Sequence, residues 1–131
     1  MSDTDIGTDM ALEVVTVPVS DVDRAKSFYE SIGWRLDIDL VVSDDVRTVQ
    51  LTPPHSGCSI QFGKGRTTAE PGSAQGMILV VSDIEAARDD LVSRGVDVSE
   101  VQEGLVLEQV MELARAVDVR DSALSCAGIR R

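Results

Sequence analysis

Five uncharged polar side chains occupy alternate positions within runs of otherwise apolar residues. They are Thr16, Thr48, Gln50, Ser59 and Gln61. Alternate residues of an extended strand point to the same face of a sheet, so these hydroxyls and amides are predicted to share one surface. Such a surface suits a cleft that orients a small organic ligand. The solvated outer face of an antiparallel sheet has a similar pattern, and the residues alone favour neither interpretation.

The residues with ionisable or nucleophilic side chains form no recognisable catalytic set. His55, the only histidine, lies in the turn-like segment PPHSG and is expected at the surface. A nucleophilic role for Cys58 would need a base held against it, and none is evident, so Cys58 is expected in the core. Asp37 and Asp39 alternate with apolar residues and could meet a cation, although we expect a solvated strand edge. We therefore assign no catalytic residue.

The overall charge and the terminal residues narrow the class of protein. The chain carries a net charge of −11, which repels phosphate backbones, so we expect no nucleic-acid partner. The same charge would attract a cationic ligand, although acidity that only maintains solubility is the simpler interpretation. We find no apolar run long enough to cross a membrane and no secretion signal in residues 1–10. We expect a cytosolic protein without a membrane partner and with reduced cysteines.

One pattern occurs twice in the chain. VSDVDRAKSFYESIG at 19–33 aligns without a gap with VSDIEAARDDLVSRG at 81–95, at an offset of 62 residues. Each copy follows an apolar run typical of a strand. Each then places an acid three residues after Ser20 or Ser82, which is the spacing of a capping box. Apolar residues at steps of three and four predict a helix, and a terminal glycine such as Gly33 ends it.

These elements predict an α+β protein built from duplicated βαβββ modules. The first module covers residues 11–63, because the strand-like runs WRLDIDL, VRTVQL and CSIQF follow the first helix. A linker at 64–75 precedes a second, partial βαβ module at 76–101. Apolar residues in 102–131 recur at helical spacing, so we expect a divergent helical tail and an incomplete second module. Residues 1–10 are acidic and polar and are expected to be disordered.

This arrangement resembles the vicinal oxygen chelate superfamily, which includes glyoxalase I, bleomycin-resistance proteins and extradiol dioxygenases. The resemblance rests on VPVSDVDRAKSFYESIGW, VQLTPPHSGCSIQFG and GMILVVSDIEAARDDLVSRGVDV, and it covers residues 11–101. It implies paired βαβββ modules whose sheets curl around a cleft. It also implies that dimerisation often completes the cleft, so we expect a homodimer.

Enzymes of that superfamily hold a divalent metal in the cleft, with ligands from the first and last strands of the modules. The corresponding positions in this chain are Val14, Gly76 or Ile78, and Gln61. Apolar side chains cannot ligate such an ion, and a single amide without carboxylate or imidazole partners is a poor ligand. The resemblance therefore implies a cleft without a cofactor, and a divalent metal only if these positions are misassigned.

Three functions follow from the resemblance and the departures from it. The first is a glyoxalase/bleomycin-resistance-like protein that binds a small organic ligand without the usual metal. The second is a metal-dependent lyase or extradiol-type dioxygenase of the same superfamily. The third is a degenerate relative without catalysis, whose altered tail has abolished the cleft.

Overall fold

A computed structural model of the protein describes residues 9–103, 110–113 and 123–128. The first module forms a four-stranded sheet in the order β1-β4-β3-β2, where β1 pairs in parallel with β4 and the other neighbours are antiparallel. Its strands are β1 (Val14–Thr16), β2 (Arg35–Ser43), β3 (Val46–Thr52) and β4 (Ser59–Lys64). Strand β2 is therefore one edge of this sheet.

The two repeated segments fold as matching helices, α1 (Val22–Ser31) and α2 (Ile84–Ser93). The predicted capping by Ser20 and Ser82 was wrong by one residue, because the N-caps are the aspartates that follow them. The Asp21 carboxylate accepts a hydrogen bond from the backbone N–H of Arg24, and the corresponding Asp83 caps α2. An ionised carboxylate satisfies a free N–H group and also interacts favourably with the positive end of the helix, which explains this choice.

Both helices end at the predicted glycines. Gly33 has φ +90° and Gly95 has φ +84°, a left-handed conformation that a side chain disfavours. The chain leaves each glycine directly into the next strand. A hydrogen bond joins the C-terminal ends of the two helices. The guanidinium Nη1 of Arg94 donates to the carbonyl oxygen of Ser31 over 2.9 Å.

The second module has a sheet of its own, in the order β5-β8-β9-β6 with β7 paired to β9. Its strands are β5 (Met77–Val80), β6 (Asp97–Val98), β7 (Gln102–Glu103), β8 (Val110–Leu113) and β9 (Ala123–Gly128). The predicted helical tail was therefore wrong for 110–113 and 123–128, and the second module is more complete than expected. Pairing with β5 and β6 gives these stretches backbone partners, so the sheet overrides their helical spacing of apolar residues.

The remaining part of the predicted tail and most of the acidic N-terminus lie outside the described residues. The α+β class is confirmed, whereas the boundaries predicted for the modules and the linker stay predictions. None of the helices among the described residues is long and apolar enough to span a membrane.

One hydrophobic core joins the two repeats. The inner face of the first sheet, with Leu51 and Phe62 fully buried, packs against the apolar face of α1, where Ala25 and Tyr29 are fully buried. Buried residues of the second repeat, such as Ile84, belong to the same cluster. Helix α1 thus covers one face of the first sheet, and the opposite face of that sheet is left for the polar side chains.

Candidate ligand-binding face

The register of the first sheet arranges its helix-free face in cross-strand rows. The central row runs from Thr16 through Gln61 and Gln50 to Ile38. The Nε2 atom of Gln61 donates a hydrogen bond of 2.7 Å to the Thr16 hydroxyl. All three polar residues of the row are half-buried, so their remaining hydrogen-bonding groups are within reach of a ligand.

A second row lies towards the start of β4. Val14 pairs with Ser59, and Thr52 pairs with Arg35 on the far side of β3. The hydroxyl oxygens of Thr52 and Ser59 are 2.6 Å apart, and both residues are buried, at 5% exposure. This hydrogen bond joins β3 and β4 below the more exposed amides of the central row.

The third row contains Gly63, its register partner Thr48 and then Leu40. All five polar residues predicted from the alternation, which are Thr16, Thr48, Gln50, Ser59 and Gln61, therefore share one face of the sheet. Their role in binding stays a prediction. The face, called the polar face below, is bordered on the β2 side by the exposed apolar side chains of Ile38 and Leu40.

Two residues of this face were missed in the sequence. Thr52 continues the alternation of Thr48 and Gln50 by one more step, but the predicted strand ended at residue 51. Asp37 was expected at a solvated edge, yet its side chain is only 19% exposed. The pairing of β2 with β3 skips Asp37 between Leu36 and Ile38. Asp37 is therefore the extra residue of a β-bulge in β2, and this explains its position.

The Asp37 carboxylate is held by donors from three directions. Its Oδ2 atom accepts a short hydrogen bond from the Thr52 hydroxyl, and its Oδ1 atom is 2.6 Å from Nε of Arg35. Hydrogen bonds from Thr52 and Arg35, with a smaller contribution from Gln50, lower the pKa of the Asp37 carboxyl. The Asp37 carboxyl is therefore ionised at neutral pH and forms an ion pair with Arg35 on the polar face.

The side chain of Asp39 lies on the opposite face of the same strand. It lies opposite Val49, and its carboxylate binds the guanidinium of Arg47 as well as the Lys26 ammonium at 2.9 Å. Arg47 also contacts Asp23 of α1 at 2.8 Å. Asp39 lies on the exposed edge strand, as expected, but its carboxylate is paired and its side chain is only 22% exposed. This ion-pair network fastens α1 to β2 and β3 and has no part in the polar face.

The aromatic residues and the single histidine lie away from the polar face. Tyr29 and Trp34 are buried, with ring centroids 4.7 Å apart, so they pack in the core. His55 is exposed in the β3–β4 turn, as predicted, and has φ +63°. Cys58 was expected in the core but is half-buried. It lies at the end of the β3–β4 turn, directly before β4 begins.

The residues at the positions where the family's enzymes have metal ligands do not suit a divalent ion. Val14 lies on the polar face beside Ser59, but it brings an isopropyl group where a ligand is needed. Gln61 is on the same face, and its amide nitrogen is bonded to Thr16. Ile78, the second-module position, is an exposed apolar residue. Among the described residues, no three His, Cys, Asp or Glu side chains cluster as a metal site requires.

A separate cavity of about 260 Å³ lies between the two repeats. Its walls include Trp34, Pro53, Leu79 and Leu91, together with Asp90. The Asp90 carboxylate is already paired with Arg94 at 3.0 Å, so the cavity offers an apolar volume but few groups to orient a ligand. The polar face is the stronger candidate site.

The fold and the duplicated repeat place the chain in a known family. The Glyoxalase/Bleomycin resistance protein/Dioxygenase superfamily matches residues 11–103, and the chain belongs to this superfamily. The suspected family is thereby confirmed. No curated protein sequence matches the chain significantly.

Three solved structures illustrate the similarity. TnmS3, an antibiotic binding protein from Streptomyces sp. CB03234, has a TM-score of 0.73 and 26% identity, over 95% of this chain and 98% of its own. A glyoxalase/bleomycin resistance protein from the same strain has a TM-score of 0.67 and 27% identity, over 92% of this chain and 100% of its own. A superfamily member from Sphaerobacter thermophilus DSM 20745 shares the fold, with a TM-score of 0.69 and 23% identity, over 93% and 98%.

Proposed function

We propose that this protein binds a small organic molecule, of the kind represented by antibiotics, on the polar face and without a divalent metal. The observation that carries the proposal is the set of rows in which Thr16, Gln61 and Gln50 stand side by side on the helix-free face. Uncharged hydrogen-bonding groups beside apolar ones are the composition expected of a small-molecule site. The similarity to TnmS3, an antibiotic binding protein, supports the same class of ligand.

Binding is favoured over catalysis by the chemistry of the described side chains. The only histidine is in the exposed β3–β4 turn. Asp37 is engaged by Thr52 and Arg35, and its lowered pKa makes it a poor proton acceptor. The metal-dependent lyase or dioxygenase stays the alternative, and metal binding distinguishes it from the proposal.

Calorimetric titration with bleomycin in the presence of EDTA tests the proposal. We expect saturable binding that a Gln61→Leu variant weakens by about tenfold, because one or two hydrogen bonds are lost. Gln75→Leu is the matched control, since Gln75 is exposed in the segment before β5 and should not change the affinity. Binding that requires a stoichiometric divalent metal would instead favour the enzymatic alternative.

We further propose that the protein acts as a cytosolic homodimer and that the second copy covers the β2 edge. Val41 and Val42 are consecutive on this edge strand and are 64% and 66% exposed. The stretch carries no charge, so it is a place where two chains of net charge −11 can approach without direct repulsion. An exposed apolar edge strand otherwise promotes unspecific pairing.

Light scattering after size exclusion measures the mass of the particle. A dimer in the unmodified protein and a monomer in Val42→Lys are the expected results. Leu12→Lys is the control, because Leu12 is similarly exposed but lies before β1, at the other edge of the sheet. A monomeric unmodified protein would contradict the proposed dimer.

A further inference from the structure

A directed chain of hydrogen bonds runs beneath the polar face. Thr52 stands between Asp37 and Ser59, and its single hydroxyl oxygen contacts both of them. A threonine hydroxyl has one proton to donate. The Asp37 carboxylate, which also faces Arg35 at 2.6 Å, has no proton to give and needs donors. The Thr52 proton is therefore directed to Asp37.

The direction of the next bond follows from this assignment. Since the Thr52 proton is used, the 2.6 Å contact with Ser59 must be donated by Ser59. Both hydroxyl protons thus point along the chain towards Asp37, and neither is available to a ligand. Because Ser59 is buried, the lone pairs of the Asp37 carboxylate are what this chain of bonds can offer to a ligand.

Gln61 of the central row shows the same bias. It uses its amide nitrogen to donate to Thr16 over 2.7 Å, which leaves its carbonyl oxygen and one N–H. Its register partner Gln50 contributes to the lowered pKa of the Asp37 carboxyl, as an amide nitrogen that faces a carboxylate does.

An apolar border completes the pattern. Ile38 continues the row of Gln50, and Leu40 continues the row of Thr48. Ile38 is 41% exposed and Leu40 is 55% exposed, so a ligand can contact both. The face therefore combines a group of acceptors with an apolar strip on its β2 side.

We infer that the polar face selects ligands that present N–H or O–H donors from an apolar body, such as an aromatic amine or a phenol. The inference rests on the proposed function, because it names the chemistry of ligands bound at that site. The Asp37 carboxylate, which can only accept, discriminates against molecules without donors, since an unmatched acceptor loses its hydrogen bond to water on binding.

A pair of fluorescent probes tests this preference directly. 1-Aminoanthracene and its N,N-dimethyl derivative share one ring system, but only the first has N–H donors. We expect the unmodified protein to bind the amine about tenfold more tightly, as one hydrogen bond to a charged or strongly polarised acceptor allows. Fluorescence titrations of both probes give the ratio of the two dissociation constants.

Variants separate the donor preference from the size of the dimethyl group. Asp37→Asn removes the charged acceptor and supplies an amide donor, so the ratio should fall towards one. Thr52→Val removes the donor that occupies Oδ2 of Asp37 and should raise the ratio, because this oxygen can then accept from the ligand. Their controls are Asp44→Asn and Thr68→Val, both at exposed positions outside the polar face, which should keep the full ratio. Thermal unfolding confirms that each variant is folded.

The outcomes distinguish the inference from the proposed function. Equal affinity of the unmodified protein for the two probes would overturn the donor preference while leaving ligand binding intact. An unchanged ratio in folded Asp37→Asn and Thr52→Val proteins would overturn the role of the hydrogen-bond chain. If neither probe binds and bleomycin does not bind either, the proposed function fails and the inference fails with it.

Discussion

The carboxylate of Asp39 and the guanidinium of Arg47 form a two-pronged ion pair, with Nε at 3.0 Å from Oδ1 and Nη2 at 2.9 Å from Oδ2. The two side chains lie on neighbouring strands of the first sheet. The pair extends through Lys26 and Asp23 to α1. A paired fork geometry restricts both side chains, so this contact is stronger than an ordinary surface ion pair.

We predict that Asp39→Asn lowers the free energy of unfolding by roughly 1 kcal/mol at pH 7, a modest effect because the network is partly solvated. The control is Asp44→Asn, at an exposed turn residue, which should change stability by less than about 0.5 kcal/mol. Urea denaturation measures both values. A stability equal to that of the control would show that the network does not contribute.

The same pair predicts a pH dependence with a definite sign. Hydrogen bonds from Arg47 and Lys26 lower the pKa of Asp39 to about 2 in the folded protein. In the unfolded chain the pKa of this carboxyl is nearer its ordinary value of 3.8, so the stabilisation by the Asp39 ion pairs is complete above that pH and is lost as the pH falls towards 2. The difference in unfolding free energy between Asp39→Asn and the unmodified protein should therefore shrink between pH 5 and about pH 2. A constant difference over that range would contradict the assignment.

Tyr29 carries a buried hydroxyl for which no hydrogen-bond partner is found among the described residues. Its ring packs between Phe28, Trp34 and Phe62, and burial raises the pKa of the phenol. Because Tyr29→Phe keeps the ring and removes an unsatisfied group, we expect it to leave stability unchanged or to raise it by up to about 1 kcal/mol.

The matched variant Tyr29→Ala should instead cost about 3–5 kcal/mol, since it leaves a cavity in the core. Trp34 is the only tryptophan and lies against Tyr29, so its fluorescence follows the unfolding of all three proteins. A marked loss of stability in Tyr29→Phe would mean that the hydroxyl has a partner after all.

Gly63 is required by a close approach of two strands. A Cβ atom at this position would lie 1.8 Å from the carbonyl oxygen of Arg47, on backbone that cannot move aside. Gly63→Ala should therefore destabilise the β3–β4 pairing by roughly 1–3 kcal/mol. At Gly57 a Cβ would meet nothing within 4 Å, so Gly57→Ala is the control and should be nearly neutral. Equal effects of the two substitutions on the melting temperature would refute this account.

The sequence predicted the repeated helices well because several local signals agreed. Both helices end at Gly33 or Gly95, and their apolar faces enter one core, as the steps of three and four required. Alternation also placed five polar residues on one face, because a regular strand has a period of two.

The sequence could not show features that depend on pairing with a distant strand. The bulge at Asp37 places Leu36 and Ile38 on opposite faces of the sheet, although their spacing in the sequence predicts a single face. The alternation therefore could not show that Ile38 joins Asp37 on the polar face. The stretch Val110–Leu113 has helical spacing, but its antiparallel partner Met77–Val80 lies 30 to 36 residues earlier in the chain and determines its conformation. Local propensity gives way to such long-range contacts.

The central claim is that a small organic ligand binds on the polar face without a metal. A titration of ¹⁵N-labelled protein with bleomycin in EDTA tests it most directly, since the side-chain amides of Gln50 and Gln61 give their own signals. The account predicts that these two amides and the backbone signals of Thr16 and Thr48 shift together and saturate, while that of Gln75 stays unchanged. Shifts confined to other surfaces, or shifts that appear only when a divalent metal replaces EDTA, would contradict it.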